Sequence, residues 1–228
     1  MVRKKFMSTQ LSPIVPSSEN VEVILIIASN CSHCQQVLTD ISELVKAADI
    51  GELRIINITA SPEKAQAFNI RSVPFIKIGP FELFGAHSKA ELLQWINRLD
   101  NPNGMLDYFN ELFAQGELLK ATELVQEDTA LLSTLIRMTA DSDTPLGSRI
   151  GISAIFEQLQ GDIKLAKYIP ELAKLTNSES FTTRIDTAYY LGLTENIKAI
   201  PWLEKLLNDD NHEVQETVQE ALAMIGKT

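Results

Sequence analysis

The only two cysteines among 228 residues stand three positions apart in SNCSHCQQ (29–36), with His33 between them. Three chemistries use thiols this close. A dithiol can cycle with its disulfide, two thiolates can supply part of a metal's ligand set, or two small side chains can fill a core. The metal reading is short of ligands. A closed zinc site takes four, and the chain adds only His33, His87 and His212. The core reading sits badly with SNCSHC, a polar string at an element boundary. The redox reading gains from position, because Cys31 falls where an apolar run gives way to a helical pattern. A helix N-terminus presents unpaired amides and the positive end of the peptide dipole. A thiol there drops from about 8.5 toward roughly 3.5–7.5. Cys34 lies nearly one turn further in, so Cys31 reads as the nucleophile and Cys34 as the resolving thiol. His33, as imidazolium, would stabilise the thiolate and make the pair more oxidising.

The elements that must hold these residues alternate in type. VEVILIIA (21–28) is a continuous β-branched and aliphatic run, expected of a strand covered on both faces. Val37, Leu38, Ile41, Leu44 and Val45 then recur at helical spacing. ELRIINIT (52–59) predicts a second buried strand and SPEKAQAF (61–68) a short capped helix. VPFIKIG (73–79) and FELFG (81–85), separated by Gly79-Pro80, predict an antiparallel hairpin. SKAELLQWINRL (88–99) predicts a closing amphipathic helix. The order β-α-β-α-β-β-α gives a mixed four-stranded sheet with flanking helices, its first two strands parallel across a crossover.

With strand, CxxC and helix in this order, residues 21–99 resemble a thioredoxin-family domain. The family also carries a proline before a strand, preceded by a cis bond, and FNIRSVPFIKIG (68–79) is similar to that segment. The resemblance makes Pro74 the cis-proline, packed beside Cys31 and Cys34. It gives the Val73 backbone the task of pairing with an extended substrate strand, and Gly85 that of a backbone fit. Several positions depart from the pattern. The tryptophan common before the first cysteine is Asn30, the buried acid of many thioredoxins is Leu25, and Phe75 follows the proline where threonine is frequent. Residues 1–20 leave no room for the extra N-terminal strand-helix unit of full thioredoxins. The short core is closer to glutaredoxins and to the thioredoxin-like N-terminal domain of the alkyl hydroperoxide reductase flavoprotein subunit. The histidine between the cysteines resembles the periplasmic disulfide oxidase. No glutathione-binding set is legible, and dependence on glutathione stays open.

DNPNG (100–104) is turn-rich punctuation, and beyond it strand signals largely stop. We therefore expect three segments: an N-terminal extension (1–20), the thioredoxin-like domain (21–100) and a helical domain (105–228). Aligning SRIGISAIF (148–156) with the segments around Arg184 and Gln215 gives steps of 35 and 31 residues, in the range of stacked helical hairpins. TRIDTAYYLG and DDNHEVQ…ALA resemble HEAT-family repeats of the short kind seen in phycocyanobilin lyase-like proteins. The resemblance implies an all-α solenoid, with Gln215 interrupting an arginine–acid ladder. Trp95 and Trp202 read as core residues. Of Tyr189 and Tyr190, one should be buried and the other partly exposed.

Charge separates the halves. Residues 1–100 hold ten basic and ten acidic side chains, so the net −10 lies wholly beyond residue 100. An acidic surface repels phosphate backbones, which argues against nucleic acid, and fits a basic protein segment. No apolar run approaches a bilayer span. The opening MVRKKFMSTQLSPIVPSS lacks the apolar core and cleavage site of a secretory signal, so the expected location is cytoplasmic, where thiols are kept reduced. On that footing, the Asn-x-Ser/Thr matches NCS (30–32) and NIT (57–59) are not glycosylation sites. The expected activity is thiol–disulfide exchange on a protein disulfide by a reductase or isomerase whose direction is open. It needs no cofactor beyond the Cys31–Cys34 pair, an unidentified reductase supplies electrons, and the repeats select a protein partner. The alternative is a binding adaptor with a thioredoxin-like fold and idle or regulatory thiols.

Overall fold

A computed structural model describes residues 21–68 and 70–226; the expected extension, 1–20, lies outside the described residues. The chain divides into two compact units between Gly104 and Met105.

The first unit is built on strands β1 (Glu22–Ile27), β2 (Glu52–Asn57), β3 (Phe75–Ile78) and β4 (Phe81–Phe84), in the spatial order β2-β1-β3-β4. β1 runs parallel to β2 and antiparallel to β3, and β3–β4 is the hairpin. The parallel pair is joined through helix α1 (Cys34–Lys46), the crossover such a pair requires. Helix α2 (Pro62–Ala67) follows β2, and α3 (Lys89–Arg98) closes the unit. Side chains alternate across the sheet. Val23, Leu25, Ile76 and Phe81 turn to one face, each at most 1 % exposed. There Phe81 meets Trp95 of α3 with ring centroids 5.1 Å apart, and α3 packs on α1. A capping box starts α3, Ser88 and Glu91 each satisfying the other's backbone amide. On the second face Ile26, Ile56 and Phe75 form a cluster edged by Ile58, Phe68, Ile70, Val73 and Phe84. Further along that face the cross-strand pair Lys77–Glu82 (3.1 Å) makes the surface polar.

ELRIINIT is not the buried strand expected of it. β2 is an edge with only β1 beside it, so Arg54 is exposed and Ile55 is 48 % exposed. An apolar run gives no information on strand order, and the edge position decides exposure here.

The second unit is helical: α4 (Gly104–Ala114), α5 (Leu118–Glu127), α6 (Leu132–Ala140), α7 (Leu146–Gln158), α8 (Ile163–Ala166), α9 (Ile169–Leu175), α10 (Phe181–Leu193), α11 (Ile200–Glu204) and α12 (His212–Ile225). α10 packs against α6, α7, α9 and α12. Polar pairs line its contact with α7: Arg149 with Asp186, Ser153 with Tyr190 (2.9 Å) and Glu157 with Tyr189 (2.9 Å). Tyr190 is fully buried and stacks on Phe156, whereas Tyr189 is half-buried. Trp95 is a core residue. Trp202 is not: its ring is half-buried and carries the Lys205 ammonium 3.9 Å from its centroid.

One joint recurs in this unit. The carboxyl or amide oxygens of Asp128, Asp162 and Asn196 each accept the backbone N–H two residues on, at 2.9, 2.8 and 3.0 Å. These Asx turns are 34 residues apart in both steps. The uneven steps of 35 and 31 come from aligning the first helices, whose preceding turns differ in length. The ladder that Gln215 was expected to interrupt is partly kept. Arg184 holds Asp209 through two bonds of 2.7 Å, and Gln215 donates its amide to the Asp209 backbone carbonyl at 2.7 Å. Among the described residues no helix is long and apolar enough to cross a membrane.

Candidate functional site

β1 ends at Ile27, and the chain turns through Ala28–His33 before α1 begins at Cys34. His33 is the cap residue of α1; its side chain is exposed and makes no capping hydrogen bond. Cys31 therefore stands three residues ahead of the first helical residue. The helix end reaches it through one donor, since the Cys34 N–H points at Cys31 Sγ at 3.1 Å. The two sulfurs are joined as a disulfide, with Cα atoms 5.3 Å apart. Their surroundings are unequal: Cys31 is half-buried, and Cys34 is 3 % exposed.

The turn that precedes β3 comes to the same place. Cys31 Sγ lies 3.7 Å from the carbonyl oxygen of Val73. A disulfide sulfur has no proton to donate, so this is a contact and becomes a hydrogen bond only when Cys31 is a thiol. The Val73–Pro74 peptide bond is cis, Pro74 is buried, and its carbonyl accepts the Gly85 N–H at 2.9 Å. Gly85 has φ +87°, in the region glycine adopts without a Cβ penalty. Val73 itself is half-buried beside Ile58, Phe68 and Ile70 at the rim of the second-face cluster.

The structure thus brings Cys31, Cys34, Val73 and Pro74 together, with exposed His33 on the same turn. Leu25, where many thioredoxins place an acid, is fully buried among apolar neighbours. Among the described residues no group of three or more His, Cys, Asp or Glu could hold a metal ion.

Three residues at this turn escaped the sequence reading. Ser29 N–H donates to Thr59 Oγ1 (3.0 Å), Asn57 Nδ2 donates to Ser29 Oγ (3.1 Å), and the Thr59 N–H donates to Asn57 Oδ1 (2.9 Å). The signal was on the page as NIT (57–59), at the end of the strand that pairs with β1. It had been considered only as a glycosylation pattern.

A family model described as a thioredoxin domain matches residues 20–97, about a third of the chain. Together with the paired cysteines it makes the first unit thioredoxin-like. No curated protein matches the chain.

Proposed function

We propose that this protein is a thiol–disulfide oxidoreductase acting on protein disulfides. The observation that carries the reading is the unequal pair: a half-buried Cys31 receiving the Cys34 N–H at 3.1 Å, with a buried Cys34 behind it. In the reduced state that N–H faces a thiolate, and a charge-assisted bond of this kind favours ionisation. The Cys31 thiolate attacks one sulfur of a substrate disulfide, forming a Cys31–substrate bond and expelling the other substrate thiolate. Cys34 gives up its proton and attacks Cys31 Sγ, forming the Cys31–Cys34 disulfide and releasing the second substrate thiolate. The substrate gains the two electrons that the dithiol loses. An adaptor with idle thiols has no need of one accessible and one shielded sulfur.

Val73 and Pro74 are the substrate-binding pair in this reading. An extended segment approaching Cys31 finds the Val73 backbone beside it and the half-exposed Ile58, Phe68 and Ile70 at the rim. His33, exposed on the turn, adds positive charge when protonated and shifts the pair toward oxidation. In the cytoplasm, the proposed location, the pool drives the reaction toward substrate reduction, with a separate dithiol reductase restoring the pair.

The helical unit is read as a HEAT-like module that selects the partner. The even spacing of its Asx joints supports a repeat, and its acidity supports a basic protein segment over nucleic acid or membrane. Ile163 and Ile197, the residues after two of these joints, are 76 % and 73 % exposed. They are apolar points at matching places.

Trapping tests the proposal. Cys34→Ser should accumulate proteins disulfide-linked to Cys31, released by reductant, while Cys31→Ser captures none. Wild type should reduce insulin with a dithiol donor and Cys31→Ser should not; equal activity in the two would leave the adaptor reading in its place.

A further inference from the structure

The parallel pairing of β1 and β2 ends where Ile27 faces Asn57, with the Ile58 N–H on the Ile27 carbonyl at 2.9 Å. Beyond that point the chains fork, one toward the cysteines and the other toward α2. The three hydrogen bonds among Ser29, Asn57 and Thr59 clasp the fork on its exposed side. Two of them act on Ser29 from different directions, one on its N–H and one on its hydroxyl. The third, within Asn57–Thr59, orients the amide that reaches across. Cys31 is two residues further on.

We propose that Asn57 and Thr59 are positioning residues for the dithiol. By fixing Ser29 they hold the cysteine turn in the geometry that keeps the Cys34 N–H on Cys31 Sγ. This rests on the redox reading above and adds a residue set to it. Ser29 and Thr59 are exposed and Asn57 is half-buried. Their side chains fill no core, and the turn preceding Cys31 is what they restrain. Released, the turn samples arrangements in which the donor and the sulfur are apart. The reduced form, the one carrying the thiolate, loses that stabilisation, and the equilibrium moves toward the disulfide.

The test uses the full chain equilibrated in glutathione redox buffers, quenched in acid, alkylated and counted by mass. Asn57→Ala and Thr59→Val should each shift the equilibrium about three- to tenfold toward the disulfide, as for a thiol pKa raised by up to about one unit. Melting temperatures should stay within about 3 °C. Thr59→Ser, which keeps the acceptor oxygen, should behave as wild type. Adding Ser29→Ala to Asn57→Ala should change little, because the amide acts through that hydroxyl. A shift below twofold in Thr59→Val, an equal shift in Thr59→Ser, or a loss of fold tracking the shift overturns the proposal. A wild type that exchanges while the variants match it removes the clasp alone. A wild type that never exchanges removes the redox reading, and the clasp with it.

Discussion

Cys31 is half-buried and Cys34 is 3 % exposed, so a reagent meeting the reduced pair reaches the two sulfurs unequally. A bulky maleimide should label Cys31 at least about tenfold faster than Cys34 at neutral pH, read by peptide mapping. Equal rates would remove the division of labour between them. Replacing the exposed His33 by serine takes away a charge that favours the thiolate. The potential of the pair should fall by on the order of 10–30 mV, and an unchanged value would show His33 to be a spectator. Cys31, Cys34 and Pro74 could be found by spacing because their chemistry depends on local order along the chain. Ser29, Asn57 and Thr59 could not. Their bonds join residues 28 and 30 positions apart across a parallel pair, and only the register of β1 on β2 brings them together.

Among the elements, the helical unit is most sensitive where a single residue spans two helices or a helix and a turn. A Cβ on Gly192 of α10 would stand 2.7 Å from Ala221 Cβ and 2.8 Å from Ala221 Cα on α12. Gly192→Ala must therefore push the helices apart and should cost about 1–3 kcal/mol in urea denaturation. Arg184 is tied to Asp209, Asp210 and the carbonyls of Ser178 and Glu179, with its side chain only 11 % exposed. Arg184→Ala leaves the Asp209 carboxylate, 6 % exposed, without its partner and should cost about 2–4 kcal/mol. The Arg184 guanidinium holds the Asp209 carboxyl below its ordinary range. That pair is at full strength above the ordinary carboxylate value and is lost as pH falls below about 4. Asp186 goes the other way, its carboxyl raised by burial against the pull of Arg149. Its protonated form is the one the fold favours, so its contribution is lost as pH rises through the raised value. Asp209→Asn should accordingly flatten the acid limb of the urea midpoint between pH 5 and 3, whereas an unaltered limb would assign acid sensitivity elsewhere. Element types were legible from periodicity, since alternation and helical spacing are local. That β2 lies at an edge, and that Trp202 is covered by Lys205 rather than by core, depends on neighbours distant in sequence.

Across the whole molecule, thiols and charge are segregated: both cysteines precede residue 100, and the entire net charge follows it. Raising salt from about 50 to 300 mM should therefore reduce the yield of partners trapped by Cys34→Ser while leaving reduction of a small uncharged disulfide unchanged. Parallel losses in both assays would mean that the acidic unit plays no part in selection. The two-part organisation was legible because composition changes abruptly at DNPNG. The regular period was not, since it is set by three side-chain caps whose neighbours share little sequence. Those caps at Asp128, Asp162 and Asn196 amount to a ruler. An insertion or duplication of 34 residues would place every following joint in an equivalent setting, whereas one of 30 would put a helix where a cap must be. The length of this half can then change in whole steps without redesign of its interior, and its reach toward a partner becomes a countable quantity that tandem duplication can adjust.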